Sequence, residues 1–117
     1  MIGKSLKSTR LSIPAGILMF AAGMAQADPL TEAEFNATHV GKCVAYTGAS
    51  EGTQCYKADG TANYDDASYG NDTGKWTFSN GQFCVKWSKE AGTTCSTYSH
   101  DGNGGFTSGD YSWKVQG

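Results

Sequence analysis

The sequence predicts a mainly β domain, a small antiparallel meander closing into a barrel or sandwich, with one short N-terminal helix. Three observations predict it. From residue 40 onward, short stretches of alternating character recur between Gly-rich turns, the pattern of half-buried strands. One cysteine frame is used twice: Cys43-Val44-Ala45-Tyr46 followed by Cys55, and Cys84-Val85-Lys86-Trp87 followed by Cys95. Beyond residue 27 the only aliphatic side chains larger than Ala are Leu30, Val40, Val44, Val85 and Val115, set against 13 aromatics. Such a core is aromatic, and a domain this small needs covalent fastening as well.

The N-terminus carries Lys4, Lys7 and Arg10, then an apolar run from Leu11 to Ala25 broken by Ser12 and Pro14, then Ala25-Gln26-Ala27. That order of charged, apolar and small residues predicts a signal peptide over residues 1–27, cut before Asp28. The run is shorter than the roughly 20 apolar residues a membrane span needs, so no stable membrane anchor is expected after cleavage. Residues 28–117 then form one domain. All 11 acidic residues lie beyond the cut with 6 of the 9 basic ones, leaving a charge of −5, and Arg10 is the only arginine. An acidic surface without arginine argues against nucleic acid and anionic lipid as partners.

Thr31-Glu32-Ala33-Glu34 has capping-box spacing, and Leu30 with Phe35 has staple spacing. Together they predict a helix over about 32–38 that covers one end or face of the sheet. Strands are expected at 42–47, 53–58, 61–65, 74–79, 82–88, 94–99, 104–107 and 110–115, although the polar stretch from Ala62 to Gly74 also reads as a long loop. Asn80-Gly81 and Asp59-Gly60 are the dipeptides preferred in two-residue hairpin turns. The two-residue period puts Phe83, Val85 and Trp87 on one face and Cys84 and Lys86 on the other. The cysteines are therefore expected on the outer face, opposite the aromatic core.

Four cysteines allow three connectivities. The repeated frame favours disulfides Cys43–Cys55 and Cys84–Cys95, each across one hairpin. Direct opposition of those pairs sets Tyr46 against Gly52 and Trp87 against Gly92, an aromatic over a cross-strand glycine in each case. Zinc held by these cysteines with His39 and His100 is disfavoured, because close Cys or His pairs are missing and export favours oxidation. Asp101-Gly102-Asn103-Gly104 lacks the ligand alternation of a calcium loop, and Asp65, Asp66 and Asp72 read as solvated turns. No metal or cofactor is expected. Asn36-Ala37-Thr38 and Asn71-Asp72-Thr73 match the glycosylation acceptor pattern, which matters only in a eukaryotic secretory pathway.

For catalysis, His39 and His100 stand outside any recognisable nucleophile motif, and contiguous Ser99-His100-Asp101 is not how a triad is assembled. His100 reads as an exposed turn residue, and no catalytic residue is assigned. Tyr64, Tyr69 and Phe106 lie in the looser segments and are the candidates for ligand contact, with ordinary core packing as the competing role.

Leu30-Thr31-x-Ala33-Glu34, Val40-Gly41-Lys42, Lys57-x-Asp59-Gly60, Thr73-Gly74-Lys75-Trp76 and Gly81-Gln82-Phe83-Cys84-Val85-Lys86-Trp87 followed by Cys95 occur in that order. Over roughly residues 30–102 the chain resembles a group of small exported alphaproteobacterial proteins classed as domains of unknown function. That group typically has the later cysteine pair, so Cys43–Cys55 reads as an addition. The resemblance implies a periplasmic or secreted β domain and brings no catalytic residues. The expected function is a non-enzymatic module that binds a protein or an envelope glycan or other envelope component. The alternative is a small hydrolase acting on envelope polymers.

Overall fold

The computed structural model describes residues 28–115; the expected signal peptide lies outside them. In chain order the described residues form β1 (Asp28–Pro29), α1 (Glu32–Thr38), β2 (Lys42–Thr47), β3 (Gly52–Tyr56), β4 (Thr61–Asp66) and β5 (Gly70–Ser79). They continue with β6 (Gln82–Trp87), β7 (Thr94–Thr97), β8 (Ser99–His100), β9 (Phe106–Ser108) and β10 (Tyr111–Val115). No helix among them is long and apolar enough to cross a membrane.

From β2 to β10 each strand pairs antiparallel with its neighbour in sequence, apart from the β7–β8 junction, and β10 returns to pair with β2. The meander is thereby nearly closed into a barrel. Strands β7 and β8 are one run interrupted at Tyr98: β7 pairs with β6, and β8 pairs with β9 on one side and β1 on the other. Tyr98 holds the crossover, donating its N–H to Gly81 (3.0 Å) and accepting from the Leu30 N–H (2.8 Å). The remaining opening is a lateral slot, because the outer edge of β7 has no partner strand among the described residues.

The expected helix forms over the expected residues. Glu34 N–H donates to Thr31 Oγ1 (3.0 Å) and Thr31 N–H to Glu34 Oε1 (2.9 Å), so both halves of the capping box are present. Leu30 and Phe35 are fully buried. The Phe35 ring stacks on Phe78 at 4.3 Å and meets Tyr56 edge-on at 5.4 Å. The helix is thus a plug, closing the barrel end where the β3–β4, β5–β6 and β8–β9 connections lie. Its core is aromatic, as five aliphatic side chains require.

Both disulfides form as the frame predicts. Cys43 opposes Cys55 and Cys84 opposes Cys95, with Cα atoms 4.0 Å apart in each pair. Cys43 and Cys95 are exposed while Val44, Phe83 and Val85 are buried, so the bridges staple the outer face.

Three expectations are corrected and one open alternative is resolved. First, Trp87 does not face Gly92; it opposes Gly74 on β5, and a Cβ at Gly74 would lie 2.9 Å from Trp87 Cε3. Tyr46 over Gly52 is as expected, so the aromatic-over-glycine device occurs twice, the second time across the other neighbouring strand. Second, the choice left open for Ala62 to Gly74 falls to strand: the stretch is most of β4 and β5, joined by residues 67–69. Third, Asn80 (φ 53°) and Gly81 (φ 78°) make the expected two-residue turn, whereas Asp59-Gly60 belongs to a longer connection. That connection is closed by Gly60 N–H to Lys57 O (3.1 Å) and tied by Asp59 Oδ1, which accepts from Thr61 N–H (2.9 Å). Fourth, His100 is not a turn residue: it lies in β8, partly buried, with Nε2 3.4 Å from Glu34 Oε2 on the helix.

Candidate functional site

The end of the barrel opposite the helix is open. A cavity of about 900 Å³ enters there, and Ser50, Tyr69, Glu90 and Asp110 ring it, one from each of the four connections at that end. Its walls are inward-facing strand residues, among them Tyr64, Val85, Trp87 and Trp113. An eight-strand barrel is wide enough either to be filled by side chains or to hold one small ligand. Here the helical half is filled and the other half is not.

The floor between the two halves is polar. Tyr56 and Tyr98 bring their hydroxyls within 2.8 Å, and Gln54 Nε2 donates to both, at 3.0 Å and 3.3 Å. Burial drives both phenols well above the usual range, so the floor is neutral and offers hydroxyl and amide groups. Above it, Tyr64 meets Trp87 edge-on at 4.7 Å and 88°. Tyr64 can hold that place because its β5 partner is Asp72 and its β3 partner Gln54, neither of which fills the lumen with an apolar side chain.

At the mouth, Asp66 is the organising residue. Its Oδ2 accepts from Tyr46 OH (2.6 Å) and Ser50 Oγ (2.7 Å), and its Oδ1 from the N–H groups of Ser68 (2.7 Å) and Tyr69 (3.0 Å). Ser50 spends its proton on Asp66, so Tyr111 OH, 3.2 Å away, donates to Ser50. The Tyr46 bond leads these contacts in holding the Asp66 carboxyl down at about 2, against the opposing effect of burial. Burial, followed by the same bond, pushes the Tyr46 phenol up. Asp66 is therefore a fixed anion with every lone pair engaged. Asp72 is likewise buried and accepts from Ser88 Oγ, Lys89 N–H (2.9 Å) and Thr73 N–H (2.7 Å), fastening the β6–β7 connection to β5. The reading of Asp66 and Asp72 as solvated turns is corrected: both are strand residues, buried and hydrogen-bonded to protein donors, whereas Asp65 is exposed.

The three ligand-contact candidates separate. Tyr64 and Tyr69 line the cavity, with Tyr69 69% exposed at the rim. Phe106 lies in the closed half, its ring 4.7 Å from His39. His39 is fully buried there; its Nε2 accepts from Trp113 Nε1 (3.0 Å) and its Nδ1 lies 2.8 Å from Thr38 Oγ1. Burial pushes its pKa down to about 4, so it is a neutral structural acceptor. His100 pairs with Glu34 outside the cavity. Neither histidine lines the cavity, and no grouping of His, Cys, Asp and Glu among the described residues has metal-binding geometry.

Tyr46, Ser50, Gln54, Asp66, Trp87 and Tyr111 complete the site, and none was marked as such by the sequence. One signal was available: Ala62, Tyr64 and Asp66 share a period of two, which puts Asp66 inward once 61–66 is read as a strand. No protein-family model, curated protein or solved structure matches the chain.

Proposed function

We propose that the chain is an exported, non-enzymatic binding module that takes a small envelope component into its barrel cavity. The observation that carries this reading is the asymmetry of the barrel: one end is plugged by α1 and the other opens into an aromatic-walled cavity of about 900 Å³. That volume falls within the ~300–1,000 Å³ of small-ligand sites, which combine apolar walls with a few placed polar groups. The Gln54, Tyr56 and Tyr98 floor supplies the polar groups, and Tyr64 and Trp87 supply faces that stack on a ring. Two disulfides fit an oxidising compartment. The resemblance to small exported bacterial proteins agrees with a periplasmic or extracellular location.

The hydrolase alternative draws less support. A general acid or base needs a proton to exchange near the working pH, and Asp66 is held ionised by four donors while both histidines lie away from the cavity. A second binding reading rests on the outer edge of β7, which has no partner strand among the described residues, so an extended segment of another protein would add a strand there.

The test is capture from envelope extract with the oxidised protein, expressed from the full 117-residue chain and recovered after export. A defined small molecule that co-purifies, and is lost in Tyr64→Ala, is the expected result. Capture of a protein that depends on β7 and is indifferent to Tyr64 favours strand addition. Turnover of peptidoglycan fragments overturns the binding module in favour of the hydrolase.

A further inference from the structure

Resting on the cavity as a binding site, we infer that its ligand carries a positively charged organic head group, an amine or quaternary ammonium. Two independent features select that sign. The first is formal charge. Asp66, Glu90 and Asp110 line the cavity, and among the described residues no Lys, Arg or His does. Lys86 and Lys89 lie outside the lining and keep their charge: Lys86 Nζ donates to the carbonyls of Trp87 (3.2 Å) and Glu90, and Lys89 Nζ to that of Asn71. They offset part of the field on the Glu90 side of the rim and leave the Asp66 and Asp110 side negative. The Asp66 charge is permanent over the working pH range, because its four donors hold its carboxyl at about 2. Charges of one sign in a cleft with low-dielectric walls focus their field on whatever enters.

The second feature is the wall itself. Tyr64, Tyr69, Trp87, Tyr111 and Trp113 line the same space, and the face of an aromatic ring is the negative pole of its quadrupole. A cation held over such faces is attracted by each of them, most strongly by Trp. Where a ring turns its face to the cavity, carboxylate and quadrupole act in the same sense: a cation gains from both, and an anion is repelled by both. A neutral sugar is served by stacking and the polar floor alone. The Asp66 oxygens are spent on protein donors, so the charge acts through space and requires no direct hydrogen bond from the ligand. This geometry suits a quaternary ammonium, which has no proton to donate.

Three probes of nearly one shape separate charge from size: choline, its uncharged carbon isostere 3,3-dimethylbutan-1-ol, and 3,3-dimethylbutanoate. Each is titrated into the oxidised protein and followed by the ring resonances of Tyr64 and Trp87. Choline is expected to bind at least ~10-fold more tightly than the alcohol, the ratio for a partly desolvated cation over aromatic faces. That preference is expected to shrink with added salt and in Glu90→Gln/Asp110→Asn, whose sites lie on exposed connections. Saturable binding of the alcohol or the carboxylate at equal strength overturns the cationic assignment and leaves the binding reading standing. Failure of all three to move the cavity resonances overturns the assignment, and failure of envelope capture as well would remove the binding reading with it.

Discussion

Gly74→Ala and Gly92→Ala each add one methyl group, and the barrel predicts opposite signs for them. At Gly74 the new carbon would stand 2.6 Å from the Lys86 carbonyl oxygen, 2.9 Å from Trp87 Cε3 and 3.1 Å from the Lys86 carbonyl carbon. Two of those atoms are backbone of the paired strand β6, so the β5–β6 ladder itself has to spread. Overpacking of this kind costs about 1–3 kcal/mol, partly offset by about 0.4–1 kcal/mol from the lower entropy of the unfolded alanine chain. A net loss of about 1–2 kcal/mol is expected, a fall of roughly 5–15 °C in a domain of this size. At Gly92 the methyl group meets nothing within 4 Å, so the entropic gain stands alone and Tm should rise by a few degrees. Thermal unfolding followed by near-UV circular dichroism, with disulfides intact, reads both. A Gly92→Ala protein that loses as much stability as Gly74→Ala would show that Trp87 lies over Gly92, and the assigned packing across β5 and β6 would be wrong.

Acid stability should fall in two separate windows. His39, neutral in the fold with its pKa at about 4 against about 6.5 unfolded, is protonated first in the unfolded chain. Its contribution is complete above pH 6.5 and is lost between 6.5 and 4, a span of about 3 kcal/mol. Denaturant midpoints measured across that range should lose this slope in His39→Gln. Asp66 acts lower: with its folded pKa depressed to about 2, its contribution is present above the unfolded value near 4 and is lost as pH falls towards 2. Tyr46→Phe should move that loss to higher pH, which carboxylate NMR titration reads directly. Thr31→Ala removes one half of the capping box and should cost about 1 kcal/mol in urea unfolding. Cys43→Ala/Cys55→Ala opens a loop with a sequence separation of 12 and should cost about 3 kcal/mol; an unchanged midpoint would mean the outer staple constrains nothing.

Legibility in the sequence followed the chemistry of what each strand faces. Strands β2, β3 and β6 turn Val44, Tyr56, Phe83 and Val85 towards the filled half of the barrel or its boundary, so hydrophobic alternation marks them. Strands β4 and β5 turn Tyr64, Asp66 and Asp72 towards the open half and its rim. An inward face that meets a cavity need not be apolar, so hydrophobic alternation fades between Ala62 and Gly74 and that stretch reads as strand or loop alike. The same polar residues that left that choice open build the mouth of the site. Asp66 shows this most clearly: it looks like a solvated turn residue, and its burial depends on Tyr46 and Ser50, 20 and 16 positions away.

The sequence by itself determined the local and covalent features: the capped helix over 32–38, the Asn80-Gly81 turn, both disulfide pairings and the outward face that carries them. These follow from rules that act over a few residues or across one hairpin, where loop closure is cheap and the two-residue period sets the face. Tertiary structure alone decided the return of β10 to β2, the interruption at Tyr98 that leaves β7 open, and the choice of Gly74 over Gly92 beneath Trp87. It also decided which end the helix plugs and hence which end holds the cavity. Each of these pairs residues with more than one eligible neighbour, and only closing the sheet around a fixed volume of aromatic side chains selects among them.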